Sequence, residues 1–211
     1  PSAVATIFAR GAEWAATGAV TLPADAGTVK SRPDALRVLV VTGGHDYPTS
    51  FYTVFEGRPE WGWTHALSNE EAFKQEIVSR CDVLVLYDFV QALGPEGKGH
   101  LRAFAEAGKG IVVLHHALAD YQDWPWFEEM AGGRYLMADQ GEWKGSTYRH
   151  DVELFVKPAG KHPIVDPIGP MQLVDETYKG MRISPKLTPL LEIDHPDGDR
   201  YVAWVSPYQP S

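Results

Sequence analysis

Five side chains carry the chemistry open to this sequence: His45, His115, His116, His150 and Glu176. His45 stands in Thr42-Gly-Gly-His-Asp-Tyr47, and His115-His116 closes the apolar run Val112-Val-Leu114. An imidazole near neutral pH serves as a general acid or base or as a metal ligand, and much less often than a thiol as a nucleophile. His150 and Asp151 follow in Tyr148-Arg-His-Asp151, and Glu176 lies in Asp175-Glu-Thr-Tyr178. Histidines and carboxylates drawn from separate loops complete either an acid–base set or a first-row metal site in which a carboxylate orients a neutral imidazole. No His-Glu-x-x-His or Cys-x-x-Cys signature occurs, so the metal reading depends on convergence in space. The expected catalytic residues are His115, His116, Glu176 and Asp151. The expected ligands of a divalent transition metal such as Zn are His45, His116, His150 and Glu176. His65, His100 and His195 are expected in solvent, and His162, before Pro163, is expected to fix a turn.

The elements that must position these residues follow from apolar patterning. Arg37–Thr42, Asp82–Tyr87 and Gly110–His115 are short β-branched runs of the kind buried on both faces of a parallel sheet. Helical spacing over Asn69–Ser79 and over Glu96–Ala107, the latter closed by Gly108, makes the core β-α-β-α-β with right-handed crossovers. Such sheets bind ligands beyond the carboxyl ends of their strands, where His45 and His115-His116 fall. The Gly43-Gly44 pair is expected to let the backbone approach a ligand. A tight turn out of the third strand matches the strained elbow in which α/β enzymes hold a nucleophile, here filled by imidazoles. Asp151–Val156, Met171–Val174 and Leu190–Ile193 read as further short strands elaborating one domain.

Bulk properties narrow the partners. A chain of 211 residues with 44% hydrophobic side chains can bury one sizeable core. Its formal charge of -9 lacks the basic footprint of a nucleic-acid binder. No run of about 18 apolar residues could span a membrane, and Cys81 alone cannot form an internal disulfide. Residues 4–17 have helical spacing, and 22–33 are polar and rich in Pro, Ala, Gly and Ser.

Several motifs taken together resemble the trehalose-utilisation, ThuA-like family. They are VVTGGHDY at 40–47, GIVVLHHALAD at 110–120, DWPWFEEMAGGRY at 123–135, YRHDVE at 148–153, HPI at 162–164 and DETYKGM at 175–181. The resemblance implies an α/β, flavodoxin-like three-layer sandwich with a mainly parallel central sheet, as in class I glutamine amidotransferases. Aligned with the small-x-Cys-His-Gly turn of that superfamily, His115 takes the nucleophile's place, which argues against a glutaminase. Residues 1–23 resemble the family's C-terminal tail, implying a permuted domain or the tail of a preceding homologous one. Residues 24–36 are then a linker, and 37–211 a ThuA-like domain lacking its last strand.

The resemblance implies carbohydrate metabolism, with oxidised 3-keto sugars or glycosides as the substrate class and His/carboxylate acid–base chemistry at the site. The alternative is a non-catalytic sugar-binding or regulatory domain on the same fold. Substrate contacts are expected from Gly43, Gly44, Asp46, Tyr47, Trp124, Trp126, Tyr148 and Tyr178. The expected partner is a small carbohydrate, with neither nucleic acid nor membrane, no nucleotide cofactor, and self-association left open. A cytoplasmic location is expected, or a periplasmic or secreted one if a leader was removed.

Overall fold

The computed structural model describes residues 13–21, 32–166 and 168–209. The expected helix over 4–17 is seen at 13–17; the rest of it, and residues 22–31 of the expected linker, lie outside the described residues. The chain divides into two compact units, one within Pro1–Val38 and Tyr47–Thr64, the other within Leu39–Asp46 and His65–Ser211. In the first unit, Tyr47, Phe51, Tyr52, Phe55, Trp61 and Trp63 pack ring against ring, with the Tyr47 and Tyr52 hydroxyls hydrogen-bonded at 2.6 Å.

One sheet has the order β2-β1-β3-β4, with β1 at Leu36–Gly43, β2 at Trp61–Ala66, β3 at Val83–Asp88 and β4 at Gly110–Val113. Val40, Val41, Leu84 and Leu86 are wholly buried, as continuous apolar runs require. β3 and β4 pair in parallel from Val83↔Gly110 to Leu86↔Val113. Between them runs α2 (Pro95–Glu106), begun by a proline at its first turn and burying Leu101, Phe104 and Ala105. The preceding helix, α1 (Asn69–Phe73), is capped by the Ser68 side chain and stops well short of the expected Ser79. The Phe73 carbonyl, which a longer helix would pair with a backbone N–H, instead bonds His100 Nδ1 at 2.8 Å.

β2 was not foreseen, because Trp61-Gly-Trp-Thr-His-Ala66 has no β-branched apolar run. The third expected strand ends at Val113 rather than His115, since His115 adopts φ +53 and extended pairing cannot continue through it.

The second sheet is antiparallel where described, in the order β10-β9-β6-β7. It comprises β6 (Thr147–Pro158), β7 (Met171–Lys179), β9 (Thr188–Glu192) and β10 (Tyr201–Val205). A two-stranded piece pairs β5 (Gly133–Arg134) with β8 (Arg182–Ile183). The expected short strands are therefore parts of longer ones. Val152, Leu154 and Val156 of β6 pack on Ile193, Met171, Leu173 and Leu191, which gives this sheet its own small core. α3 (Pro125–Ala131) ends at Gly132 in the left-handed conformation. Among the described residues, no helix is long and apolar enough to cross a membrane.

Candidate functional site

The site is built where β4 stops. A 3-10 turn, His115–Ala119, follows directly, and burial of Ala117 and Ala119 leaves their neighbours His115 and His116 at the strand end. His45 comes from the loop after β1. Its ring lies 5.7 Å from that of His115 and 4.6 Å from that of His116, and the two adjacent rings are 3.9 Å apart. One nitrogen from each of the three histidines falls within 4.8 Å of the others.

The opposite side comes from the β6/β7 hairpin. Tyr148 pairs with Tyr178 and Arg149 with Thr177, after which a bulge intervenes before Val152 pairs with Asp175. Two residues, His150 and Asp151, therefore stand against Glu176. Asp151 carries the irregularity at φ +54, and His150 Nδ1 reaches Glu176 Oε1 at 3.4 Å. Glu176, whose side chain is 10% exposed, accepts a hydrogen bond through Oε2 from the Tyr178 hydroxyl and lies 3.7 Å from His115 Nε2.

Because the Tyr178 proton goes to Glu176, the Tyr178 oxygen accepts from His115 Nδ1 at 2.7 Å. That fixes the tautomer of His115 and leaves Nε2 as a lone pair. Burial lowers the His115 pKa against the opposing pull of Glu176. Burial, then the neighbouring His115 and His45, lowers that of His116 to about 4. Both rings are therefore neutral at pH 7. His116 Nδ1 is buried without a hydrogen-bond partner among the described residues. Burial, followed by the bond to Glu176, pushes the Tyr178 hydroxyl well above its ordinary range, so it stays a proton donor.

These groups open on a cavity of about 400 Å³, whose other walls are Phe89, Leu118, Tyr135, Met137, Tyr148 and Met181. Among the described lining residues there is no Lys or Arg. Such a cavity lies within the roughly 300–1,000 Å³ typical of small-molecule sites.

The sequence-derived candidates fare unevenly. His115, His116, His150, Glu176, Tyr148 and Tyr178 all line the cavity, and His45 adjoins His115 and His116 through its ring. Asp151 is exposed at the bulge and is not part of the lining. Gly43 and Gly44 are needed for another reason than ligand approach. A Cβ on Gly43 would lie 2.5 Å from the Leu67 carbonyl oxygen, and one on Gly44 1.9 Å from that of Phe89. The backbone that comes close is the chain's own.

Asp46 is exposed, with its carbonyl 3.0 Å from His45 Nδ1, and Tyr47 belongs to the first unit. Trp124 and Trp126 pack against each other at a tilt and join the main core, under Lys98 and Arg102, rather than lining the cavity. Nor are the remaining histidines idle in solvent. His65 Nε2 bonds the Thr42 hydroxyl at 2.7 Å, His100 holds the Phe73 carbonyl, and His195 Nδ1 accepts the Asp197 N–H at 3.2 Å. His162 does fix a turn, its Nδ1 accepting the Ile164 N–H at 3.3 Å. Sequence reasoning missed Phe89, Tyr135, Met137 and Met181, and the only signal for Tyr135 was its place at the end of the DWPWFEEMAGGRY motif.

The family model described as ThuA, trehalose utilisation, matches residues 37–209. The chain belongs to the ThuA family. That membership places it in carbohydrate metabolism. Among solved structures, a ThuA-like protein from Parabacteroides merdae is similar to this ThuA-family chain, with 15% identity and a TM-score of 0.66. The likeness covers 84% of this chain and 77% of that one, which shows a shared fold. No curated protein matches the chain.

Proposed function

We propose that this ThuA-family protein processes an oxidised (3-keto) sugar or glycoside by proton transfer next to the carbonyl, on a flavodoxin-like, amidotransferase-type scaffold. The observation that carries the reading is the His115–Tyr178–Glu176 chain at the cavity wall. A carbonyl acidifies the neighbouring C–H. A neutral His115 with its Nδ1 proton committed to Tyr178 offers Nε2 as the base, and Glu176 stabilises the imidazolium that results. The aromatic walls suit the C–H faces of a sugar ring. The absence of Lys and Arg from the described lining favours an uncharged substrate over a phosphorylated one.

The donor set also fits a divalent metal such as Zn. His45, His115 and His116 converge, two of them are neutral, and His116 Nδ1 has no other partner among the described residues. This set differs from the one expected from sequence, because His150 and Glu176 pair with each other across the hairpin. Both His45 nitrogens lie near carbonyl oxygens, Asp46 at 3.0 Å and Tyr87 at 3.2 Å, so ligation by His45 requires one of those contacts to yield. A bound metal would occupy the His115 Nε2 lone pair and polarise the substrate carbonyl, and Glu176 would then be the base in place of His115.

The test incubates the purified protein in D2O with a 3-keto-glucoside and with the parent glucoside. Deuterium entering beside the carbonyl of the keto compound alone, and lost in Glu176→Gln, supports the reading. Saturable binding without exchange or turnover overturns it in favour of a sugar-binding domain. Metal analysis of untagged protein before and after chelation, and of His116→Ala, decides the metal.

A further inference from the structure

Behind the histidines lies a second polar group that the proposed chemistry does not use. Asp88 ends β3 and Asp120 follows the 3-10 turn, and neither side chain is exposed at all. Asp120 Oδ1 accepts the Val90 N–H at 2.6 Å, which brings its carboxyl to the end of β3 beside that of Asp88. The remaining oxygens, both of Asp88 and Oδ2 of Asp120, receive no hydrogen bond of good geometry from the described residues. The Asn69 amide favours the charge on Asp88, yet its directed bond goes to the Tyr121 hydroxyl.

Two ionised carboxylates cannot persist in contact when both are buried and lack donors. A proton between them supplies the missing donor and removes the repulsion. Acceptor-only oxygens that face each other without a partner are what such a bond leaves visible when hydrogens are not located.

We propose that Asp88 and Asp120 hold one proton between them as an acid–carboxylate hydrogen bond, and that this bond fastens the turn carrying His115 and His116 to the end of β3. The flanking contacts give the fastening its purpose. Tyr87, one residue before Asp88, turns its carbonyl to His45, and Phe89, one residue after, packs against the His116 ring. Asp88 and Asp120 are thus positioning residues for all three histidines, whatever the cavity binds.

The electrostatics agree with the geometry. Burial, then the charge of Asp88, pushes Asp120 up to about 10, and burial raises Asp88 to about 6. The other titratable groups acting on the pair are His45 and Tyr121. Since an unfolded aspartate titrates near 3.9, the folded pair retains one proton more than the unfolded chain between about pH 6 and 10. Its contribution to stability therefore falls as pH rises through that range.

The experiment uses the full chain and two variants of Asp120. Asp120→Asn replaces the shared proton by an amide that donates to Asp88 and cannot titrate. Urea unfolding between pH 7.5 and 9 lies above the histidine range, where the pair makes the wild-type folding equilibrium fall by about tenfold per pH unit. That slope is lost in Asp120→Asn. Infrared spectra at pH 8 show a protonated-carboxyl carbonyl band in the wild type that is absent from Asp120→Asn. The imidazole ¹H–¹⁵N signals of His115 and His116 stay near their wild-type positions in Asp120→Asn and move in Asp120→Ala. An unchanged pH slope in Asp120→Asn, or no such band in the wild type, overturns the proposal. If Asp120→Ala does not fold, the slope and the band still decide it.

Discussion

The two sides of the cavity are built on opposite plans. The β4 side is a buried turn: small alanines, a left-handed His115 and two imidazoles that burial keeps neutral. The hairpin side is an exposed antiparallel ribbon, with His150 at 68% and Tyr148 at 58% exposure, that brings one nearly buried carboxylate, Glu176, to the cavity. Lone pairs are supplied by one wall, and negative charge and a proton donor by the other. The Tyr178–His115 hydrogen bond joins the two and, with the 3.7 Å approach of Glu176 to His115 Nε2, makes the neutral imidazole and the carboxylate one unit.

That comparison can be broken from either side. Glu176→Gln is expected to have the largest effect, a loss of about 10²–10⁴-fold in turnover of the keto sugar. It should also lower the His115 pKa further, since Glu176 is the strongest influence raising it; an NMR titration of the imidazole that shows no downward movement would separate the walls. Tyr178→Phe comes next. It removes the bond to His115 and the bond to Glu176, and should cost about 1–3 kcal/mol in urea unfolding because Glu176 keeps its burial and loses a donor.

At His115 itself, glycine tolerates φ +53 and alanine does not. His115→Gly should therefore be more stable than His115→Ala by about 1 kcal/mol in thermal or urea unfolding, while both abolish exchange into the substrate. The pH response tests the burial of the turn. His116 has a folded pKa of about 4 against an ordinary value near 6.5, so the unfolded chain binds the extra proton between them. Its contribution is complete above pH 6.5 and is lost as pH falls toward 4, and His116→Gln should flatten that limb of the stability profile. Asp151→Asn should have the smallest effect, within about 0.5 kcal/mol in stability, since the side chain is exposed and outside the cavity.

The first half of the fold was legible because parallel strands must be apolar on both faces, and Arg37–Thr42, Asp82–Tyr87 and Gly110–Val113 have no other use for such runs. β2 was not, since its side chains are aromatic, small or polar without alternation. The histidines could be placed at strand ends from the same pattern. Their partners could not all be, because what aims Tyr148 and His150 at Glu176 and Tyr178 is a register and a bulge, set by pairing between residues far apart in sequence. The glycine pair and the two tryptophans were read as ligand contacts. Local sequence does not reveal that Leu67 and Phe89 crowd the glycines or that the tryptophans belong to the core. Nothing in the local sequence marks Asp88 or Asp120; their burial alone sets them apart.

The hairpin bulge sets the angle of this wall rather than its register. Excising Asp151 would leave His150 alone opposite Glu176, with Arg149 still against Thr177 and Tyr148 still against Tyr178. The same side chains would keep the cavity face, but the local bend and extra twist that a bulge gives its strand would be lost. A single-codon deletion would thus keep the aromatic, uncharged rim and its preference for neutral ligands while changing the angle at which that rim meets the opposite wall.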